Sequence, residues 1–155
     1  MKLRNRRGAS SMELAVGAIL MITFSVLAID MILMNFAMCL NDSVCRDACR
    51  AAAQTNNATT ALAAAQAQLR MHATDGNFVS QPQLTSTSSP DFVYNDYSGN
   101  PPANQSSYVT VTTMVTVKVP APVAFFGATF YSKNGTLLIK RRYTFPIITE
   151  KFYGS

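Results

Sequence analysis

Residues 6–40 read RRGASSMELAVGAILMITFSVLAIDMILMNFAMCL, a basic cluster followed by a long apolar run. Between Leu14 and Leu40 the only charged residue is Asp30. A helix over residues 14–40 rises roughly 40 Å, whereas the hydrocarbon core of a bilayer is about 30 Å thick and takes about 20 apolar residues. The stretch therefore predicts one membrane-spanning helix with residues to spare.

Basic residues precede the apolar run; they are Lys2, Arg4, Arg6 and Arg7. Because such residues stay on the cytoplasmic side, the N-terminus is expected in the cytoplasm and the chain beyond Leu40 outside it. A secretory signal peptide is the alternative, but its apolar region covers only about 7–15 residues and ends in a small-residue cleavage site. Here the small pair Gly8-Ala9 lies before the apolar run. Cleavage there would leave the helix on the mature chain.

A basic leader, a glycine, four residues, a glutamate and an apolar helix follow one another, and this order resembles a type IV prepilin. The resemblance implies cleavage between Gly8 and Ala9 by a prepilin peptidase, which makes Glu13 the fifth residue of the processed chain. It also implies that the Glu13 carboxylate meets the new α-amine of a neighbouring subunit. The alternative is an uncleaved signal anchor with Glu13 in water at the cytoplasmic interface.

The features that follow are similar to those of TadE-like proteins, the minor pilins or pseudopilins of Tad (Flp) pilus systems. Asp30 is a second acid, seventeen residues after Glu13, and the helix-end motif Arg46, Asp47 and Arg50 lies beyond it. The family's early helix proline and its arginine after the second acid are missing, so the TadE, TadF and TadG types stay open. The resemblance implies assembly roles for Glu13 and Asp30, with other Tad pilins and assembly-platform proteins as partners.

Depth in the membrane bears on the role of Asp30. A span of about 20 residues from Leu14 ends near Leu33 or Met34, which places Asp30 about 5–6 Å inside the outer boundary. Arg46 on the same helix is roughly 24 Å away and cannot neutralise it. The carboxylate therefore contacts another subunit or snorkels to the interface, and both alternatives stay open.

Charge and cysteine content narrow the function. The 155 residues allow one domain beside the anchor. Four of the thirteen Lys and Arg residues lie in the first seven positions, so a chain starting at Ala9 carries nine basic and eight acidic side chains. This balance gives no support for nucleic-acid binding.

We interpret Cys39, Cys45 and Cys49 as small residues packed on a buried helix face, with an intermolecular disulfide as the alternative.

The helix is expected to continue past the membrane to Asn56-Asn57, where asparagine can close it, and Asp42 can pair with Arg46. A second helix is predicted over residues 58–73, capped by Thr59 or Thr60. His72, the only histidine, is expected to be packed and not to be a ligand.

The rest of the chain predicts a β-sheet. Residues 78–107 are rich in Ser, Thr, Pro, Asn and Gln, with one strand fragment at residues 92–94; they hold short strands or form an exposed contact loop. Residues 108–119 alternate valine with threonine and predict a strand. After a compact apolar segment at 123–130, an Asn134-Gly135 turn predicts a hairpin into a last strand over 136–148. Arg141 falls on the apolar side of that strand and should snorkel or find an acid.

Together these patterns predict an α+β, pilin-like fold with a long N-terminal transmembrane helix, a short second helix and a small, mainly antiparallel sheet. The expected divisions are a cleaved cytoplasmic leader (1–8), the membrane-spanning and extended helix (9–56) and an extracytoplasmic α+β domain (57–155). The sequence contains no nucleophile-and-base set, phosphate loop or metal-ligand spacing, so we expect no enzyme, no catalytic or metal residue, no cofactor and no small-molecule substrate.

Two function classes remain. The first is a minor pilin or pseudopilin, processed by the peptidase and held in the inner membrane before assembly. It would have a periplasmic domain, with entry into a surface pilus left open. The second is an uncleaved single-pass protein with an extracytoplasmic binding or sensor domain. The pair Gly8-Ala9 with Glu13 favours the first, because a plain anchor needs neither a cleavable leader nor a boundary acid.

Overall fold

A computed structural model of the chain describes residues 6–119, 124–125, 128–129 and 135–148, with side chains described within 11–119 and 135–148. In these residues two helices come first, α1 (Arg6–Ala53) and α2 (Ala58–Met71). The strands are β1 (Gln83–Leu84), β2 (Phe92–Asn95), β3 (Tyr108–Lys118), β4 (Ala124–Phe125), β5 (Ala128–Thr129) and β6 (Thr136–Pro146). A short 3-10 turn lies at Tyr97–Gly99. The α+β class predicted from the sequence is confirmed.

The helix α1 is continuous over 48 residues and is therefore about 72 Å long. Its N-terminal part is apolar and long enough to cross a membrane. It ends at Ala53, three residues before the predicted stop at Asn56-Asn57. Asn57 instead caps α2: its backbone is extended, with a φ of −154°, and its Oδ1 accepts a hydrogen bond of 2.8 Å from the Thr60 N–H. The predicted caps Thr59 and Thr60 are wrong, because the Asn57 side chain reaches that amide from just before the first turn.

The strand β3 is the centre of a four-stranded antiparallel sheet. Both β1 and β2 pair with one of its edges, and β6 pairs with the other over eleven positions. A single bridge joins Val79 to Val117. Short strands are thus what the structure contains within residues 78–107, and β2 confirms the predicted fragment at Phe92.

The connection between β3 and β6 is described only in part. Within the predicted apolar segment 123–130, β4 and β5 pair with each other, and the other residues lie outside the described ranges. Asn134 of the predicted turn also lies outside them. Gly135 has a φ of +65°, which glycine adopts without steric cost. Its carbonyl accepts a hydrogen bond of 2.8 Å from the Val119 N–H, and β6 begins at the next residue, as predicted.

The C-terminal half of α1 packs across β3 and β6, and the spacing of its residues matches the spacing of the strand residues. Four residues along a helix advance about 6 Å, and two residues along a strand advance about 6.8 Å. Every fourth helix residue therefore meets every second strand residue. We call the resulting hydrogen bonds the polar ladder; its rungs are Asn41 with Thr113 and Ile139, Cys45 with Val111 and Arg141, and Cys49 with Val109 and Tyr143.

The hydrophobic core is shared between α1 and the rest of the domain. Towards the C-terminal end of α1, Val44, Ala48 and Ala52 pack with α2, β2 and β3. Closer to its N-terminal half, Ala37 packs with β3 and with Ile139 of β6. The folded domain therefore includes much of the helix that the predicted division at residues 56 and 57 places outside it.

Candidate assembly interface

The predicted processing site lies at the start of α1, away from the folded domain. Gly8 and Ala9 follow the first helical residue, Arg6, and their backbone is helical. All side chains of residues 11–22 are exposed, and the first half-buried one is Thr23. Thr23 is fourteen positions after Ala9, which corresponds to about 21 Å of helix. The Gly8–Ala9 bond is therefore sterically free of the domain.

Glu13 is exposed on the free part of the helix. It shares a stripe with Val16, Gly17 and Leu20, three, four and seven residues further on, and the two apolar side chains are each 52% exposed. A Cβ placed on Gly17 would meet no atom within 4 Å, so the surface beside Glu13 is open. No ion pair joins the Glu13 carboxylate to another described side chain. Any partner for this charge lies outside the described residues.

Exposed apolar side chains cover α1 over residues 12–38, and we call this surface the free face of α1. Its members are Met12, Leu14, Val16, Ile19, Leu20, Met21, Ile22, Phe24, Ile29, Met31, Ile32, Phe36 and Met38. Phe36 and Met38 are still 55% and 37% exposed, although the predicted span ends near Leu33. Asn35 interrupts this surface, and Asn41 and Asp42 follow it. Exposed apolar side chains thus continue to Met38, five residues or about 7.5 Å of helix past the end of the predicted span.

Asp30 lies on the opposite side of α1, where the helix meets the domain. Its side chain is 1% exposed, and neither carboxylate oxygen has a hydrogen-bond partner among the described residues. Leu33 and Ala37, three and seven residues further on, pack in the part of the core that contains Val115 and Val117 of β3. In this arrangement the carboxylate is accessible neither to a neighbouring subunit nor to the interface. The predicted intersubunit contact requires the domain to move away here, and it stays a prediction.

The burial of Asp30 falls inside the membrane span that the sequence predicts. That span runs to Leu33, whereas the side chain of Asp30 is already only 1% exposed. The predicted span and the buried part of α1 therefore overlap by four residues, or about 6 Å of helix.

The first arginine of the helix-end motif ties α1 to β6. Arg46 Nη2 lies 2.7 Å from Asp42 Oδ2, the predicted pair, and the guanidinium is 5.5 Å from the centre of the Tyr143 ring. The Tyr143 hydroxyl donates a hydrogen bond of 2.7 Å to the other Asp42 oxygen. Arg141 Nε lies 3.9 Å from the same carboxylate. Asp42 is therefore the acidic partner that was one of the two predicted alternatives for Arg141.

The other two residues of the motif extend the same attachment. The Arg50 guanidinium is 5.7 Å from the centre of the Phe145 ring on β6. Asp47 Oδ2 is 3.7 Å from Nε2 of His72, which closes the C-terminus of α2. Among the described residues, the motif therefore connects the C-terminal end of α1 to β6 and to α2.

Two residues of α1, Cys39 and Asn41, differ from expectation. Cys45 and Cys49 are free and fully buried, which confirms the packing interpretation for them, whereas Cys39 is exposed and the interpretation is wrong there. Asn41 is fully buried in the polar ladder, and sequence reasoning missed it. The only signal for Asn41 is its spacing of four and eight residues before the two buried cysteines.

In the described ranges no group of three His, Cys, Asp or Glu side chains is placed to hold a metal ion. Comparison with protein-family models, with curated proteins and with solved structures finds no match for this chain. Function is therefore inferred from the chain's own residues and their geometry.

Proposed function

We propose that this chain is a minor pilin or pseudopilin of the Tad (Flp) type. It would be anchored in the inner membrane with its N-terminus in the cytoplasm and its α+β domain outside. The observation that carries the proposal is the free face of α1, which starts at Met12, beside Glu13 and just after Gly8-Ala9, and continues to Met38, about 7.5 Å past the predicted end of the hydrocarbon core. A plain anchor needs apolar surface only as long as the bilayer is thick. Packing against the helices of other subunits covers the excess.

Glu13 links processing to assembly in this proposal. A charged carboxylate at the edge of the hydrocarbon costs several kcal/mol unless it is paired. Cleavage after Gly8 creates an α-amine on Ala9, which can pair with Glu13 of a neighbouring subunit. Support comes from the exposure of Glu13, from the open surface beside Gly17 and from the absence of an ion-pair partner in the described part of the chain.

The first test is the N-terminus of the mature protein. Protein made in cells with an active prepilin peptidase should begin at Ala9 by intact mass and N-terminal sequencing. Gly8→Val should block cleavage, because it enlarges the residue at the cut. Gly17→Val is the matched control, since the same substitution nine residues away meets open space and should leave processing unchanged. A wild-type chain that begins at Met1 would refute the proposal and favour an anchored binding or sensor domain.

The second test separates membrane insertion from assembly. Glu13→Val should leave the membrane level of the protein unchanged, because insertion depends on the apolar run and its basic flank. Cross-linking to other pilins and the number of pili should fall, because the amine of the neighbouring subunit loses its partner. Glu13→Asp, which keeps the charge, is the control and should retain more assembly. Normal piliation in Glu13→Val would mean that Glu13 is only an interfacial residue.

A further inference from the structure

The outer edge of β6 is the longest open edge of the sheet in the described part of the chain. The strand has eleven residues, and its described pairing is with β3 alone. On the other side of β3, the edge is occupied by β1, β2 and the bridge at Val79. A strand with one unpaired edge presents a row of backbone N–H and C=O groups that can bind another strand.

The register identifies which backbone groups point outward. The Val119 N–H donates to the Gly135 carbonyl, and these residues lie opposite each other when the β3–β6 register is extended by one position. In an antiparallel ladder such pairs alternate with pairs that do not exchange hydrogen bonds. Odd-numbered residues of β6 therefore bond to β3, and even-numbered residues direct their backbone groups away from it. The outward N–H groups belong to Thr136, Leu138, Lys140, Arg142 and Thr144.

The opposite edge of β3 supports this assignment. There the even-numbered residues are the ones that bond outward: the Thr112 N–H donates to the Asp91 carbonyl at 2.8 Å, and the Lys118 N–H to the Phe78 carbonyl at 2.7 Å. For the equivalent outward amides of Leu138 and Lys140, no hydrogen bond is found within the described residues. Both residues are exposed.

The middle of this edge is strongly basic. Lys140, Arg141 and Arg142 are consecutive and exposed. Asp42 lies 3.9 Å from Arg141 and is shared with Arg46. Arg142 donates a hydrogen bond to the Pro90 carbonyl, which satisfies a donor without neutralising its charge. The edge therefore carries more positive charge than the described acids around it balance.

We propose that the outer edge of β6 binds an extended acidic segment of a partner protein, which adds to the sheet as a further strand. The main chain of the segment bonds to the outward groups at residues 136–144, and its acidic side chains lie opposite the three basic residues. A second copy of β6 fits poorly, because antiparallel pairing centred on Arg141 places like charges opposite each other, which destabilises the pair. Pro146, which lacks an N–H, also shortens the edge. This inference does not depend on the proposed pilin function.

The direct test uses the full chain in nanodiscs of zwitterionic lipid and a short peptide in which three consecutive glutamates are flanked by valines. Amide hydrogen exchange should be fast in the free chain at Leu138, Lys140, Arg142 and Thr144. The peptide should slow exchange at these four amides and leave the odd-numbered amides unchanged. A peptide with lysine in place of glutamate should have no effect. Amides already protected in the free chain, or no added protection at a saturating peptide concentration, would overturn the proposal.

Two variants separate strand addition from simple charge attraction. Lys140→Pro removes an outward N–H that β3 does not use, and Lys140→Glu reverses one charge; each should weaken peptide binding by about tenfold or more by fluorescence anisotropy. Lys118→Glu makes the same charge change at an exposed site on β3 and should leave binding nearly unchanged. Protection of Cys45 and Cys49 from alkylation checks that each variant is folded. A folded Lys140→Pro that bound the peptide like wild type, with unchanged protection of the Leu138, Arg142 and Thr144 amides, would refute strand addition.

Discussion

Asn41→Ala should destabilise the contact between α1 and the sheet more than most single truncations on that helix. The Asn41 Nδ2 donates a hydrogen bond of 3.0 Å to the Ile139 carbonyl, and its Oδ1 accepts one of 2.7 Å from the Thr113 hydroxyl. Both Asn41 and Thr113 are fully buried. The substitution removes both bonds and leaves the Thr113 hydroxyl without its acceptor.

The size of the effect follows from these contacts. A buried hydrogen bond contributes about 1 kcal/mol net, and a buried polar group left without a partner costs about 1–3 kcal/mol. We expect Asn41→Ala to lower the free energy of unfolding by about 3 kcal/mol, and Thr113→Val by about 2 kcal/mol. The double variant leaves neither member of that pair orphaned, so its loss should be smaller than the sum by about 1–2 kcal/mol.

Thiol alkylation provides the assay, because the chain contains no tryptophan and the polar ladder contains Cys45 and Cys49. The background is Cys39→Ser, which removes the exposed thiol. When opening and closing are fast relative to alkylation, the rate reports the population of the open state. A loss of about 3 kcal/mol then accelerates alkylation by about 100-fold. The same reagent and detergent concentrations are used for every variant, so that their alkylation rates can be compared.

Two outcomes would refute this reasoning. Alkylation in Asn41→Ala within about threefold of the parent corresponds to less than about 1 kcal/mol and would show that the buried amide contributes little. Additive effects in the double variant would show that Asn41 and Thr113 are energetically independent despite their 2.7 Å contact.

The remaining predictions concern the buried acid Asp30 and the half-buried phenol Tyr94. Asp30→Asn should raise the thermal unfolding midpoint at an unchanged membrane level, because it removes a desolvated charge that lacks a hydrogen-bond partner among the described residues; a lower midpoint would show that the charge is paired. Tyr94→Phe should cost about 1 kcal/mol, because the Tyr94 hydroxyl donates a hydrogen bond of 2.9 Å to the Thr55 carbonyl. Burial, and then the charge of Asp96, raise the pKa of Tyr94 above its usual 10.0. The folded chain thus holds the hydroxyl proton of Tyr94 more tightly than the unfolded chain does. The contribution of this hydroxyl to the free energy of unfolding is therefore full below about pH 10 and is lost as the pH rises through the folded-state pKa. Tyr94→Phe should reduce this alkaline loss in unfolding titrations, and equal slopes in both proteins would contradict the assignment.

Several elements could be read from the sequence because their signals are local. The length of the apolar run predicts a spanning helix, and the alternating valines of residues 108–119 predict β3. The boundary between α1 and α2 shows the limit of such signals. Asparagine can end a helix or begin one, and Asn57 begins α2 because its side chain reaches the Thr60 amide. The two-residue strand β1 has too few residues to show any period.

The faces of the elements depended on packing between distant parts of the chain. Alternation with valine along β3 predicts an exposed, polar face for Thr110 and Thr112, yet they are only 5% and 6% exposed. The Thr144 hydroxyl lies 2.8 Å from that of Thr110, and β3 is flanked on both edges. A central strand is covered by its neighbours, and alternation along one strand does not show where those neighbours lie.

The sequence by itself determined the long apolar helix, the order of basic residues, glycine, glutamate and apolar run, and the α+β class, because each depends on residues close together in the chain. Tertiary structure alone decided that Asp30 is buried and that Asn41 joins α1 to β6 across 98 residues. It also decided that the basic run of β6 lies on a strand edge with which no other described strand pairs. The physical reason is that the burial of a helix residue depends on which strand residue it contacts. These contacts join distant parts of the chain, and they form only when α1 packs on the sheet.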